Sequence, residues 1–474
     1  MVAILLGLKS GAYNSVKEKG NLINMIAEAN RDGNYVSVKR LDGLTKHDSS
    51  LTDAMRSNIH LNSGFKYFVS GTKLYRFTDG APTDLGTIGG SGVATIVSNA
   101  VPGDNQVMVL NGSGDGYIYD SSGLVKITDV DFFSTTSVTV LNERFWCTRD
   151  DRNEIFASDV ADGTAWNALS FLSAEYKPDP VVINISKKSA MWTLGTESME
   201  YFQSVTDNLV PIRPVKGLGT DVGILAKSSF AELDDYFAFL ADDSTITQVK
   251  GTEITTISDL EFELKIRGDG TTINPGFTAA EIASCIGFFV DTPHHKMYWL
   301  SFPDANYTWG YDVNTGLSTT RQSTNEEAWR ANYSITDQNI IYIGDRINGN
   351  IWILDPDAKD EDGSVLKATM RTPTISFKKD VFIPKIEIEM EVGVAESPST
   401  TPPLMLVRYT KDGWRTSTNH SPISLGNWGE HAKRVVLRSF GRLVRNKDFG
   451  IELSVTAAVR VQFYAIEAEI GASI

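Results

Sequence analysis

Cysteine, basic charge and long apolar runs are all scarce in this chain, and each scarcity closes off a class of protein. Only Cys147 and Cys285 occur among 474 residues. Two thiols cannot build a disulfide framework, and they offer none of the paired spacing of a zinc site. Lys and Arg number 44 against 59 Asp and Glu, a net charge of -15. A surface committed throughout to gripping nucleic acid is thereby excluded, although local basic patches are not. No stretch approaches the ~20 apolar residues of a membrane-spanning helix. The run Val2–Leu8 has no basic flank and stops at Lys9, unlike most secretory signals. The expectation is a soluble, acidic protein made in a reducing cytoplasm.

Helical periodicity is also sparse. Thr, Val, Ile, Tyr, Phe and Trp fill short runs broken by Gly, Asp, Asn and Ser, the composition of an all-β chain. Ser258–Arg267 alternates Leu260, Phe262, Leu264 and Ile266 with charge, which predicts a half-buried strand, whereas Thr278–Cys285 reads as a short helix. Asn21–Ala29 fits a helix or an extended wrap equally well.

A repeat organises the middle of the chain. An apolar strand, a polar turn and a short strand bearing an aromatic or β-branched residue recur at Tyr75, Tyr119, Phe156, Tyr201, Ile246, Tyr311 and Trp352. The spacing is about 40 residues, the period of a β-propeller blade, with one longer interval before Tyr311. A single blade cannot bury both its faces, and closing a ring removes exposed sheet edges. The sequence therefore predicts a β-propeller of about seven blades over residues 51–362; a long irregular sandwich or solenoid is the alternative. Past the acidic turn Asp355–Gly363 the pattern lengthens into alternating strands at Thr374–Phe377, Lys385–Val392, Leu404–Tyr409, Val435–Leu437, Ile451–Val455 and Val459–Ile466, with Glu396–Pro403 as a loop. These predict a C-terminal β-sandwich over residues 363–474. Residues 1–50 are expected to form an extended segment packed on the propeller or on a neighbour.

Motifs for chemistry fail on inspection. Gly86–Gly92 (GTIGGSG) lacks the Lys-Ser/Thr and following helix of a phosphate loop and reads as a blade turn. No G-x-S-x-G elbow is present. His294 and His295 are adjacent on extended backbone, so their side chains point to opposite faces and cannot readily share a metal; a solvated hairpin tip is expected. Asp355, Asp357, Asp360 and Asp362 approach calcium-loop spacing, but the required Gly and terminal Glu are misplaced. Asp412, Gly413 and Trp414, in YTKDGW, resemble the structural Asp-box hairpin of sialidases. The expectation is no enzyme activity, no catalytic residue, no cofactor and no metal.

Charge distribution is more informative. His431–Lys447 holds six bases and no acid, including Lys433, Arg434, Arg438, Arg442 and Arg445, while Val435, Leu437, Phe440 and Leu443 alternate through it. Ala231–Asp243 holds Glu232, Asp234, Asp235, Asp242 and Asp243 without a base. The basic run is either a solvated strand face or a docking patch for an acidic surface, with direct DNA binding a third reading.

Four segments in order resemble the tail hub, or tail accessory, proteins of short-tailed bacteriophages, also called packaged-DNA stabilization proteins. Asn21–Asn30 (NLINMIAEAN) is similar to their Asn-Met/Tyr-x-Ala-Glu signature, and Leu41-Asp42-Gly43 follows where that family often has Pro-Gly-Leu. Arg144–Asp179 resembles a blade with an aromatic strand and a Trp turn. Gly195–Phe202 (GTESMEYF) looks like the Ser-x-Glu-Tyr-Phe strand of the next blade. Lys433–Val455 is similar to the final basic strand pair. The resemblance implies a propeller and a sandwich in a virion protein. It implies a homo-oligomeric ring, commonly a hexamer, that forms a hub or nozzle beneath the portal–adaptor. Needle, plug or fibre proteins would attach below or at the side, and genome DNA would be retained and then ejected through the lumen without sequence-specific binding. The competing class is a sialidase-like propeller that binds or cleaves glycans, and a cellular propeller scaffold is the third.

Overall fold

The computed structural model describes residues 2–5, 21–29, 35–99, 101, 105–207, 209–272, 274–394 and 401–472. Parts of three expectations lie outside these residues: the apolar run beyond Leu5, Asn30 of the N-terminal signature, and 396–400 of the Pro/Ser-rich loop.

Among the described residues, seven four-stranded antiparallel units succeed one another at 60–87, 95–126, 138–173, 181–214, 231–256, 286–320 and 331–355. The seventh supplies three strands itself. Its outermost strand is Gly43–Asp48, which pairs antiparallel with Ile351–Asp355. A segment that precedes the first blade thus completes the last one. The innermost strands of the two, His60–Asn62 and Ala331–Asp337, are also in contact, so the ring is closed. Middle strands such as Arg144–Thr148 and Ala190–Gly195 are buried along their whole length. Both their faces meet a neighbouring blade, which is why their apolar residues come consecutively, as in Phe145–Cys147 and Ala190–Trp192, rather than alternating.

Each of the seven blade-to-blade interfaces buries its own apolar cluster. Met108 and Phe145 meet between the second and third blades, Phe288 and Trp329 between the sixth and seventh, and Phe68 and Tyr342 where the seventh meets the first. Ion pairs cross some of the same interfaces: Lys187–Glu232 at 2.9 Å and Lys296–Asp234 at 2.5 Å flank the fifth blade. At the closure, Lys66 is 1% exposed and holds Asp337 at 2.6 Å beneath the Tyr342 ring.

Beyond the ring, one sheet orders Met25–Ala29, Tyr35–Arg40, Gln462–Ala472, Val381–Met390 and Val435–Leu443. A second orders Ala368–Arg371, Asp448–Val455, Leu404–Thr410 and Ser421–Ser424. Asn21–Ile23 joins this second sheet to Leu317–Thr320, the outermost strand of the sixth blade. Inward residues of both sheets, among them Val38, Met370, Ile386, Leu453 and Phe463, share one core. Asn21–Ala29 takes the extended alternative, interrupted at Asn24, whose φ of 55° lies in the left-handed region. The N-terminal strands cover sheet edges that would otherwise be open.

Two local expectations are corrected. Ser258–Arg267 is not a strand: Leu260–Arg267 is an α-helix. Asp259 caps it by accepting from Phe262 N at 2.8 Å, Glu261 and Glu263 occupy the first turn, and Lys265 and Arg267 the last. Capping and the complemented helix dipole outweigh the two-residue alternation, and Phe262 and Ile266, four apart, form the buried face. The expected short helix is present at Ala279–Ala283, with a reciprocal capping box between Thr278 and Glu281. The second correction concerns His295, which is buried rather than solvated.

Candidate functional site

The basic run forms Val435–Leu443, which among the described residues is an edge strand paired with Val381–Met390. Val435, Leu437, Phe440 and Leu443 face the core. The step from Leu437 to Phe440 breaks strict alternation because the ladder is bulged there, with Ser439 and Gly441 both at positive φ. The bulge leaves Arg438 and Arg442 exposed along this edge.

The five basic residues are not equivalent. Arg434 is bidentate on Glu387, with Nε at 2.8 Å and Nη2 at 2.5 Å from Oε1. Arg442 holds Asp380 through Nε at 3.0 Å and through Nη2. Lys433 donates to the Ser424 hydroxyl at 2.9 Å. Arg445 contributes its backbone N–H to Asp380 at 2.7 Å, while its guanidinium and that of Arg438 make no ion pair among the described residues. Both are exposed. Hydrogen bonds from Arg442 and from Arg445 N hold the Asp380 carboxyl below its usual range. Two of the five charges, those of Arg434 and Arg442, are therefore neutralised by neighbouring carboxylates; Lys433 meets only a hydroxyl, and Arg438 and Arg445 are the exposed guanidiniums without an ion pair among the described residues.

The acidic stretch is likewise engaged at home. Glu232 pairs with Lys187, Asp234 with Lys296 and Asp235 with Lys188 at 3.3 Å. Asp242 accepts from Gly223 N, and Asp243 from Thr245 N. The sequence placed these acids as complements to the basic strand; the structure uses three of them to tie adjacent blades.

Asp412, Gly413 and Trp414 close the turn after Leu404–Thr410. Asp412 accepts from Thr416 N at 2.9 Å and from Thr416 Oγ1 at 2.7 Å, and these bonds hold its carboxyl down at about 2. Gly413 and Trp414 both have positive φ, and the indole lies against Arg371, 4.5 Å from its guanidinium carbon. Arg371 and Arg408 converge on Glu452, which is 2% exposed, with closest approaches of 2.6 Å each. The hairpin thus packs over an Arg–Glu–Arg cluster in which the glutamate is buried and the two arginines are half-buried.

The Gly-rich segment surrounds a cation. Arg56 donates to the carbonyls of Gly89 at 2.6 Å, Gly92 at 3.0 Å and Asn111 at 2.7 Å, and also to that of Gly71. Inward carbonyls are the opposite polarity to a phosphate cradle, in agreement with a blade turn. Residues 355–363 disperse their acids: Asp362 pairs with Lys46, and Glu361 lies buried beside Ser323. Among the described residues no group of three or more His, Cys, Asp or Glu is arranged to hold a metal. Both thiols are buried, and desolvation raises their pKa values, that of Cys285 to about 12.

Sequence reasoning missed the centre around His295. His294 is exposed, but His295 is buried, with Nδ1 2.8 Å from Asp312 and Nε2 3.4 Å from Glu28, which Lys39 also contacts. Burial opposes the imidazolium, yet the two carboxylates win and raise its pKa to about 9. The hydrogen bond from His295, against burial and with help from Lys39, lowers Glu28 to about 2. These groups tie the N-terminal strand Met25–Ala29 to the sixth blade. No local signal could have found them, because Glu28 and His295 are remote in sequence.

The geometry defines a closed seven-bladed propeller carrying a two-sheet C-terminal unit, a class of scaffold rather than of chemistry. The chain belongs to the family described as bacteriophage P22 Gp10, beta-propeller, whose model matches residues 10–359. It is a phage structural protein of the tail-accessory kind, in keeping with a short-tailed phage, and the family points to a structural place in the virion. Among solved structures, it is similar to the computationally designed Ika8 protein at 10% identity and a TM-score of 0.39, over 66% of this chain and 99% of that one. BamB from Moraxella catarrhalis is similar at 8% identity and a TM-score of 0.39, over 74% of this chain and 96% of that one. No curated protein sequence matches significantly. Among the described residues no helix is long and apolar enough to cross a membrane.

Proposed function

We propose that the chain is the tail hub or nozzle of its phage. Copies of it form a ring, a hexamer in our reading, below the portal–adaptor; needle, plug or fibre proteins attach below or at the side; and genome DNA is held and then released through the lumen. The observation that carries this reading is membership of the phage family over the propeller. The net charge of -15 supports it, since a lumen of the same sign as phosphate resists sticking. Arg438 on the edge strand and Arg445 in the turn after it, both exposed in a chain of net negative charge, suit contact with a neighbouring acidic surface.

We read residues 51–362, with the borrowed strand Gly43–Asp48, as the propeller, and 363–474, with the other N-terminal strands, as the β-sandwich. The test is cryo-electron microscopy of isolated tails together with particles lacking the protein. A ring of this chain at the portal–adaptor, and capsids that lose DNA without it, are expected. Sustained turnover of fluorogenic sialosides by the purified chain, or stable and infectious particles without it, would overturn the reading.

A further inference from the structure

The propeller is open at its axis on the face bearing the turns that lead into the innermost strands. Val93, Gly112 and Thr136, of the second and third blades, there confront Leu225–Ser228 ahead of the fifth and the short helix Ala279–Ala283 ahead of the sixth. Residues from opposite sides of a ring meet only across its axis, and they enclose a cavity of about 500 Å³. Most of the wall is aliphatic, with Leu225 and Ile282 the largest side chains.

One charged group interrupts this wall. Lys227 lines the cavity, and among the described residues its ammonium has neither a hydrogen-bond acceptor nor a carboxylate within ion-pair distance. Asp150 acts on it only through space and is held by the Ser134 hydroxyl at 2.6 Å. Other lysines near the blade interfaces, such as Lys66, Lys187 and Lys296, have carboxylate partners. Desolvation at Lys227 is strong enough to bring its pKa down to about 7, with Asp150 and Cys147 opposing. An unpaired, partly desolvated cation costs stability, so a group kept in that state at the mouth of a cavity marks a ligand position rather than a structural one.

We propose that the axial cavity binds a small organic anion, a carboxylate on a short apolar stem. The carboxylate would sit on Lys227 Nζ with the Thr136 and Ser228 hydroxyls beside it, and the stem against Leu225 and Ile282. This inference is independent of the assembly role proposed above.

Hexanoate is the probe, titrated calorimetrically into the full chain, with hexanol as the uncharged control. Hexanoate should bind, hexanol at least about tenfold more weakly, and Lys227→Met should lose about tenfold in hexanoate affinity. Because Met removes an unpaired charge while keeping the stem, K227M should melt no lower than the parent. Ile282→Trp, which fills the cavity and keeps the lysine, should also abolish binding, and hexanoate should slow reductive methylation of Lys227. Equal affinity of the parent and K227M for hexanoate, absence of binding by the parent, or a marked fall in melting temperature of K227M would each overturn the proposal.

Discussion

His295 shows how much one side chain can change when its surroundings are supplied by distant strands. In the sequence it is half of a His-His pair in a turn, and the structure leaves His294 exposed while burying His295. Burial was not legible, since it depends on Glu28 from the N-terminal strand and Asp312 from the next strand of the blade. The pH consequence has a definite sign. His295 is raised from 6.5 to about 9, so its charge contributes fully below 6.5 and that contribution is lost as pH rises through 9. Glu28 is lowered from 4.5 to about 2, so it contributes above 4.5 and is lost as pH falls through 2. His295→Gln should therefore cost about 2 kcal/mol between those limits, with the difference from the parent narrowing towards alkaline pH. Unfolding midpoints measured across pH for both proteins check this; a constant difference through pH 9 would count against the ion pair.

At the level of elements, turns and middle strands were readable because their causes are local. Val107–Leu110 and the central Phe145–Cys147 of Arg144–Thr148 are apolar without alternation since a blade buries both faces of its middle strands. Leu260–Arg267 was misread because a short helix with apolar residues at alternate positions can imitate a strand. The deciding signals were at its ends: Asp259 before it and Gly268, φ 77°, after it. Asp259 also accepts from Ser318 Oγ at 2.7 Å, so the cap anchors the helix to the outermost strand of its blade. Asp259→Ala should lower stability by about 1 kcal/mol and speed amide exchange in the first helical turn, whereas Asp259→Asn should retain most of the cap. If exchange in that turn is unchanged in the Ala variant, the cap is not what holds the helix.

On the scale of the whole molecule, the repeat revealed the ring because each blade must present the same pattern to identical neighbours. Closure was not legible. Nothing in Gly43–Asp48 marks it as the last strand of the seventh blade, and only its ladder with Ile351–Asp355 assigns it. The basic run was legible as charge, but not which of its charges are paired, since Glu387 lies 47 residues before Arg434 and Asp380 lies 62 before Arg442. That distinction sets the assembly prediction. Arg434→Glu with Arg442→Glu breaks pairs inside one sheet and should act first on the local fold of Val435–Leu443. Arg438→Glu with Arg445→Glu removes the charge available to a partner and should leave the melting temperature nearly unchanged. An exposed intersubunit pair is worth about 1 kcal/mol or less, but repetition around a ring multiplies the loss, and salt screens what remains. Incorporation of the Arg438/Arg445 variant into tails should therefore fall well below that of the parent, most sharply at low salt, where the exchanged charges are least screened. Normal incorporation with loss of retained DNA would instead place these arginines in the lumen and refute docking.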